Sequence, residues 1–165
     1  MVFFKKIFEG PLHLQLRAAL TYIDNILFCE EVRKLPNQAE ALRFYNYPFV
    51  ALQESLSNAV YHKDYEKKEP IEVRIHADKI EILSYPGPSS FITKNDLNRG
   101  RIIAREYRNR RVGDFLKELH LTRGRCVGIP KIQRVMKANG SPPAIFDMDD
   151  GHSYFMTTLP IHPLV

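Results

Sequence analysis

Residues 51–65 read ALQESLSNAVYHKDY, and how that stretch folds decides the architecture of the chain. At about 100° per residue, Leu52, Leu56, Ala59 and Val60 gather on one side of a helix. Glu54, Asn58 and His62 recur every fourth residue and fall within roughly 80° of arc on the other side. One side seeks a core, and the other presents a carboxylate, an amide and an imidazole. Pro48 suits the opening turn, and the helix is expected to end near His62, ahead of the polar run KDYEKKEP.

C-terminal to this helix, IEVRIHADKIEILS (71–84) alternates at Ile71, Val73 and Ile75, turns at ADK, and alternates again at Ile80 and Ile82, which predicts a β-hairpin. Pro86, Gly87 and Pro88 stop the second strand, and SSFITKNDLNRG (89–100) reads as a polar loop. Val112, Phe115, Leu116 and Leu119 predict a third helix. A fourth runs from Pro130 to Asn139, with Ile132, Val135 and Met136 inward and Gly140 as a left-handed cap. SPPAIFDMDDGHSYFMTTLP (141–160) reads as a closing hairpin with Asp150 and Gly151 near its turn. N-terminal to the opening stretch, Leu12, Leu16, Ala19, Ile23, Ile26 and Leu27 predict a long first helix with Pro11 in its first turn. The segment 29–47 carries Pro36 and Asn37 without a sustained period, and is expected to be a connection with room for a short strand or turn. This order predicts an α+β fold, an antiparallel or mixed sheet with helices packed on one face.

A chain of 165 residues fits a single domain spanning 1–165, and 44% hydrophobic with 26% charged residues is ordinary globular composition. No apolar run approaches the roughly 18 residues that cross a membrane, and MVFFKKIFEG lacks a cleavable apolar leader, so a cytoplasmic location is expected. Cys29 and Cys126 have no CxxC spacing and read as free thiols. The net charge of +5 is local: residues 99–125 hold nine Arg or Lys against three acids, so the remainder sums to −1. Within it Arg101, Arg105, Arg108, Arg110 and Arg111 are candidates for phosphate contact along a nucleic acid, against the alternative of a solvated surface with internal ion pairs.

The Glu54 and Asn58 pair suits a nucleotide site, since a carboxylate can orient water while an amide oxygen one turn later ligates Mg²⁺ held by phosphates. The same spacing also fits a polar helix face exposed to water, and His62 fits a C-terminal capping role. No P-loop or DEAD-like box occurs, and the length cannot hold two motor lobes, which excludes an autonomous helicase. G-x-S-x-G, H-E-x-x-H and zinc-knuckle spacings are absent as well.

Three stretches, 51–88, 96–132 (DLNRGRIIAREYRNRRVGDFLKELHLTRGRCVGIPKI) and 139–163 (NGSPPAIFDMDDGHSYFMTTLPIHP), carry a resemblance that runs from about Phe8 to Pro163. The chain resembles the C-terminal domain of the RecG-related transcriptional regulators, which usually carry an AlbA-like, Schlafen-type DNA-binding domain ahead of it. The resemblance implies a diverged Bergerat-type ATPase fold, related to gyrase, MutL and sensor histidine kinases, with ATP and Mg²⁺ as cofactors. Glu54 then stands where the water-orienting base of the N-box stands, and Asn58 where the Mg²⁺ ligand does. His62, Lys63 and Asp64 match a His-Arg-Asp run in which Lys keeps the charge and loses the planar fork. Gly87 lies in SYPGPSS, where the ATPases have Asp-x-Gly-x-Gly, so the adenine-reading carboxylate is missing, as in the family generally. Gly124, Arg125 and Gly128 lie in RGRCVGIP, similar to the family's Gly-Arg-Gly-Thr-Gly-Ile-Pro lid, with Arg123, Cys126 and Val127 as departures. Arg108 and Asn109 match an Arg-Asn dipeptide. The implied partner is DNA, reached through the AlbA-like domain outside these residues, and a homo-oligomer is compatible with this role. The alternative is a non-catalytic interaction or dimerisation module that has lost its nucleotide and assists DNA contact through the basic segment.

Overall fold

In a computed structural model, which describes residues 5–34, 36, 40–99, 108–121 and 128–165, the chain begins with α1 (Leu12–Leu27), β1 (Glu30–Arg33), β2 (Leu42–Tyr45) and α2 (Phe49–His62). It continues through β3 (Glu72–Ile75), β4 (Lys79–Ser84), α3 (Lys94–Arg99), α4 (Arg110–Glu118), α5 (Gly128–Asn139), β5 (Ile145–Asp147) and β6 (Phe155–Pro160). One sheet has the strand order β3-β4-β6-β5, and β1 pairs with β2 as a separate ribbon. The fold is α+β, and every strand pair is antiparallel.

Register explains the alternation in the sequence. Val73, Ile82, Thr157 and Phe146 form one cross-strand row, and Ile80 pairs with Leu159 on the same side. Ile80, Ile82, Phe146 and Leu159 belong to the buried core. The opposite side carries the row Arg74, Glu81, Thr158 and Ile145. There Glu81 is held by Lys79 at 2.6 Å and His76 at 3.1 Å. Burying one face and charging the other is the usual arrangement of an antiparallel layer.

Helix α2 lies on β4 and β6, and α1, α4 and α5 pack around it. Leu52, Leu56, Ala59 and Val60 are buried as their spacing predicts, each contributing about 1–3 kcal/mol relative to exposure, with Ala59 at the low end. The other side of α2 is not the water-facing strip that a bare amphipathic pattern allows. Glu54, Ser55 and Ser57 are buried as well, because α5 and the end of α4 close over them. Burial is tolerated because each polar group has a partner: Ser55 Oγ donates to Ala51 O (2.7 Å), Ser57 Oγ donates to Leu121 O (2.9 Å), and Glu54 meets a lysine.

Two elements depart from the sequence expectation. Segment 29–47 contains the β1-β2 ribbon, anchored by contacts from far along the chain. Phe44 stacks on His162 at 3.9 Å, and the Asn46 amide donates to Leu27 O while accepting from Cys29 N. The loop at 89–100 contains α3, started by a reciprocal cap in which Asp96 N donates to Thr93 Oγ1 and Thr93 N donates to Asp96 Oδ2. At the end of α5, Gly140 adopts φ +78° as expected, and Ser141 N reaches back to Met136 O.

Candidate functional site

The polar strip of α2 meets the start of α5. Glu54 is 2% exposed, and its Oε1 is ion-paired with the Lys131 ammonium in the first turn of α5. One turn further along α2, the Asn58 amide lies against Gly128, the first residue of α5. A Cβ built on Gly128 would stand 2.4 Å from Asn58 Nδ2 and 2.8 Å from Oδ1, so only glycine allows this approach. The first turn of a helix exposes unpaired N–H groups and the positive end of its dipole, which favours an anion. Glu54 is therefore well placed there, whereas the Lys131 cation opposes the dipole and is held by the carboxylate.

The other end of the strip is a dense cap. Lys63 N donates to Ala59 O, Tyr65 OH to Val60 O (2.7 Å), Asn109 Nδ2 to both Tyr61 O (2.9 Å) and Lys63 O (2.5 Å), and Arg108 Nη1 to His62 O (2.6 Å). The last carbonyls of α2 thus find donors from two separate segments, 63–65 and 108–109. Burial, reinforced by the Arg108 charge, pushes the His62 imidazole down to about 4, so it is neutral near pH 7. Lys63 turns its ammonium into three main-chain oxygens, those of Asp64 (3.1 Å), Lys67 (3.1 Å) and Glu69 (2.6 Å). Asp64 N donates to Tyr85 O (3.0 Å), which ties the end of α2 to the Pro-Gly turn.

Gly87 in that turn faces the β5-β6 connection. Its N–H donates to His152 O (2.8 Å), and a Cβ there would fall 2.6 Å from Tyr154 O. The structure therefore brings Glu54, Asn58 and Gly128 together, sets His62 and Asp64 at the far end of the same helix, and directs Gly87 toward residues 152–154. Arg108 belongs to the helix cap while staying exposed, and Arg110 and Arg111 are exposed at the start of α4. Gly124, Arg125, Arg101 and Arg105 lie outside the described residues.

Two residues of this region were not singled out by sequence reasoning as site or cap residues. Lys131 was readable only as a cation in the first turn of a helix, where the dipole disfavours it. Asn109 reads in the sequence as half of a dipeptide, with no local sign of its capping role. Among the described residues no group of three or more His, Cys, Asp or Glu converges to hold a metal. Mg²⁺ generally takes only one or two protein ligands and completes its octahedron with phosphate and water, so a lone Asn58 amide beside a helix start fits that ion. No helix among the described residues is long and apolar enough to cross a membrane.

The crystal structure of the DIP2311 protein from Corynebacterium diphtheriae matches with a TM-score of 0.71 and 24% identity, over 93% of this chain and 29% of that one. The likeness shows a shared fold, and this chain spans under a third of that protein's length. No curated protein matches the sequence. A family model described as "Putative ATP-dependent DNA helicase recG C-terminal" matches residues 68–159, from just after α2 to the end of β6. With more than half of its length so matched, the chain belongs to the RecG C-terminal family of ATPase-like, helicase-related domains.

Proposed function

We propose that this domain binds ATP as its Mg²⁺ complex and acts as a nucleotide-responsive regulatory domain of a cytoplasmic, RecG-related transcriptional regulator. The observation that carries the reading is the contact between Asn58 on α2 and Gly128 at the start of α5, with Glu54 one turn away. The first-turn N–H groups of α5 would receive phosphate oxygens, and the Asn58 amide oxygen would hold the ion, which neutralises phosphate charge when bound. Glu54 would orient a water toward the terminal phosphorus, while His62 and Asp64 keep the strip and the Pro-Gly turn in register. Gly124 and Arg125 would extend the phosphate contacts. Hydrolysis is expected to be slow.

Titration calorimetry with ATP, with and without Mg²⁺, tests the reading. Heat that depends on Mg²⁺ and is lost in Asn58→Ala supports it; no heat at millimolar nucleotide rejects it.

A second reading, an interaction or dimerisation module without nucleotide, is favoured by the Pro-Gly turn. There SYPGPSS supplies no carboxylate to read adenine, and Gly87 is packed against His152 and Tyr154 main chain. In that case the exposed Arg108, Arg110 and Arg111 would assist DNA contact beside an AlbA-like domain. Phosphate binding of this kind is steeply salt-dependent. A gel shift that stays empty at low salt removes the DNA part.

A further inference from the structure

We infer that Lys131 is a positioning residue that restrains Glu54, making the domain a nucleotide sensor with suppressed turnover; the inference rests on the nucleotide reading above. Three observations meet at this pair. The Glu54 carboxylate is 2% exposed, so bulk water does not reach it freely. Its Oε1 is taken by the ammonium of Lys131, a side chain 17% exposed, across the α2-α5 contact. Lys131 stands in the first turn of α5, where a cation opposes the helix dipole, so helix electrostatics alone give no reason for a lysine there.

A base for phosphoryl transfer to water needs an oxygen lone pair within hydrogen-bond reach of that water. In the step itself the water oxygen bonds the terminal phosphorus and the bridging P–O bond breaks. ADP leaves with the electron pair, and the water proton passes to the carboxylate. An ammonium on the carboxylate oxygen competes with the water for the same lone pairs. The ion pair thus leaves the phosphate-binding elements, Gly128 and Asn58, in place while withholding the group that would accept the proton. Binding and turnover are thereby separated within one helix contact, which is the behaviour of a sensor.

The test compares the 165-residue chain with Lys131→Gln, Lys131→Arg and the neutral pair Glu54→Gln/Lys131→Gln, each checked for folding by its thermal melt. Mg-ATP affinity is read by calorimetry and hydrolysis by single-turnover release of phosphate. K131Q is expected to bind within about threefold of the parent and to hydrolyse at least about tenfold faster. The neutral pair should lose that gain. K131R should be no faster than the parent, because the guanidinium fork holds both carboxylate oxygens. A folded K131Q with parental affinity and parental or slower turnover overturns the inference. Should K131Q not fold, a K131R that turns over faster than the parent overturns it equally. If the parent chain takes up no Mg-ATP in the calorimeter, the nucleotide reading itself has failed, and this inference falls with it.

Discussion

The two ends of α2 are built from similar materials and differ in kind. At the His62 end, backbone carbonyls are met by Asn109, Arg108 and Tyr65, so these hydrogen bonds end on main chain and fix where the helix stops. At the Glu54 end, the contacts that join α2 to α5 are side chain to side chain or side chain to glycine, made by a carboxylate, an ammonium and an amide. A cap of the first kind serves the fold. A buried ion pair beside a helix start is costly to desolvate, and replacing such a pair with apolar groups is often neutral or stabilising, so stability alone does not explain it. The difference separates two kinds of contact along a single helix, and the proposed nucleotide chemistry draws on the second.

The largest expected effect breaks the Glu54 end. Lys131→Met leaves a buried carboxylate without its partner and should destabilise the domain by about 3–5 kcal/mol in urea denaturation. Adding Glu54→Gln should recover most of the loss. If the double change costs the sum of the two single changes, the two side chains are not coupled and the contrast between the ends disappears.

At the other end the expected signature is pH. The folded His62 titrates at about 4, below its ordinary 6.5, so as pH falls the unfolded chain takes up a proton at this site before the folded one does. The stabilisation is present above about 6.5 and is lost progressively down to about 4. Stability should fall by about 2 kcal/mol between pH 7 and pH 5 from this group. His62→Gln should remove that slope, and Arg108→Ala should make it shallower, because the guanidinium charge helps keep the imidazole neutral. Unfolding curves of the three proteins across this range decide the matter.

Asn109→Ala removes two donated hydrogen bonds and should cost about 1–2 kcal/mol, with Arg108→Ala, whose guanidinium is exposed, costing about 0.5 kcal/mol. Neither should alter Mg-ATP affinity; a large loss of affinity would show that the cap also belongs to the site. A change of similar size at the Glu54 end is Gly128→Ala. Its Cβ would collide with the Asn58 amide, the movable end of a side chain, so the penalty should be about 1 kcal/mol and should vanish in an Asn58→Ala background.

What could be read from sequence followed the range of the forces involved. Helix α2, the 71–84 hairpin, α5 and the closing hairpin each repeat a local period, and each appears close to its expected bounds. The β1-β2 ribbon has no such pattern: Phe44 is buried only because His162, far along the chain, supplies the other half of the stack. Helix α3 had a legible signal in Thr93 and Asp96, but six residues are too few to show a hydrophobic stripe. In the site, Glu54 and Asn58 stood out by spacing and Gly128 by likeness to a lid motif. The partner of Glu54 lies 77 residues away, and no local pattern announces a pair across two helices.

Lys63 shows how a replacement that leaves charge unaltered can still shape a loop. Its ammonium sits among the carbonyl oxygens of Asp64, Lys67 and Glu69, in the manner of a monovalent ion among ligands. The bend after α2 thus carries its own covalently tethered cation, and its conformation should be indifferent to the potassium or sodium content of the surrounding medium.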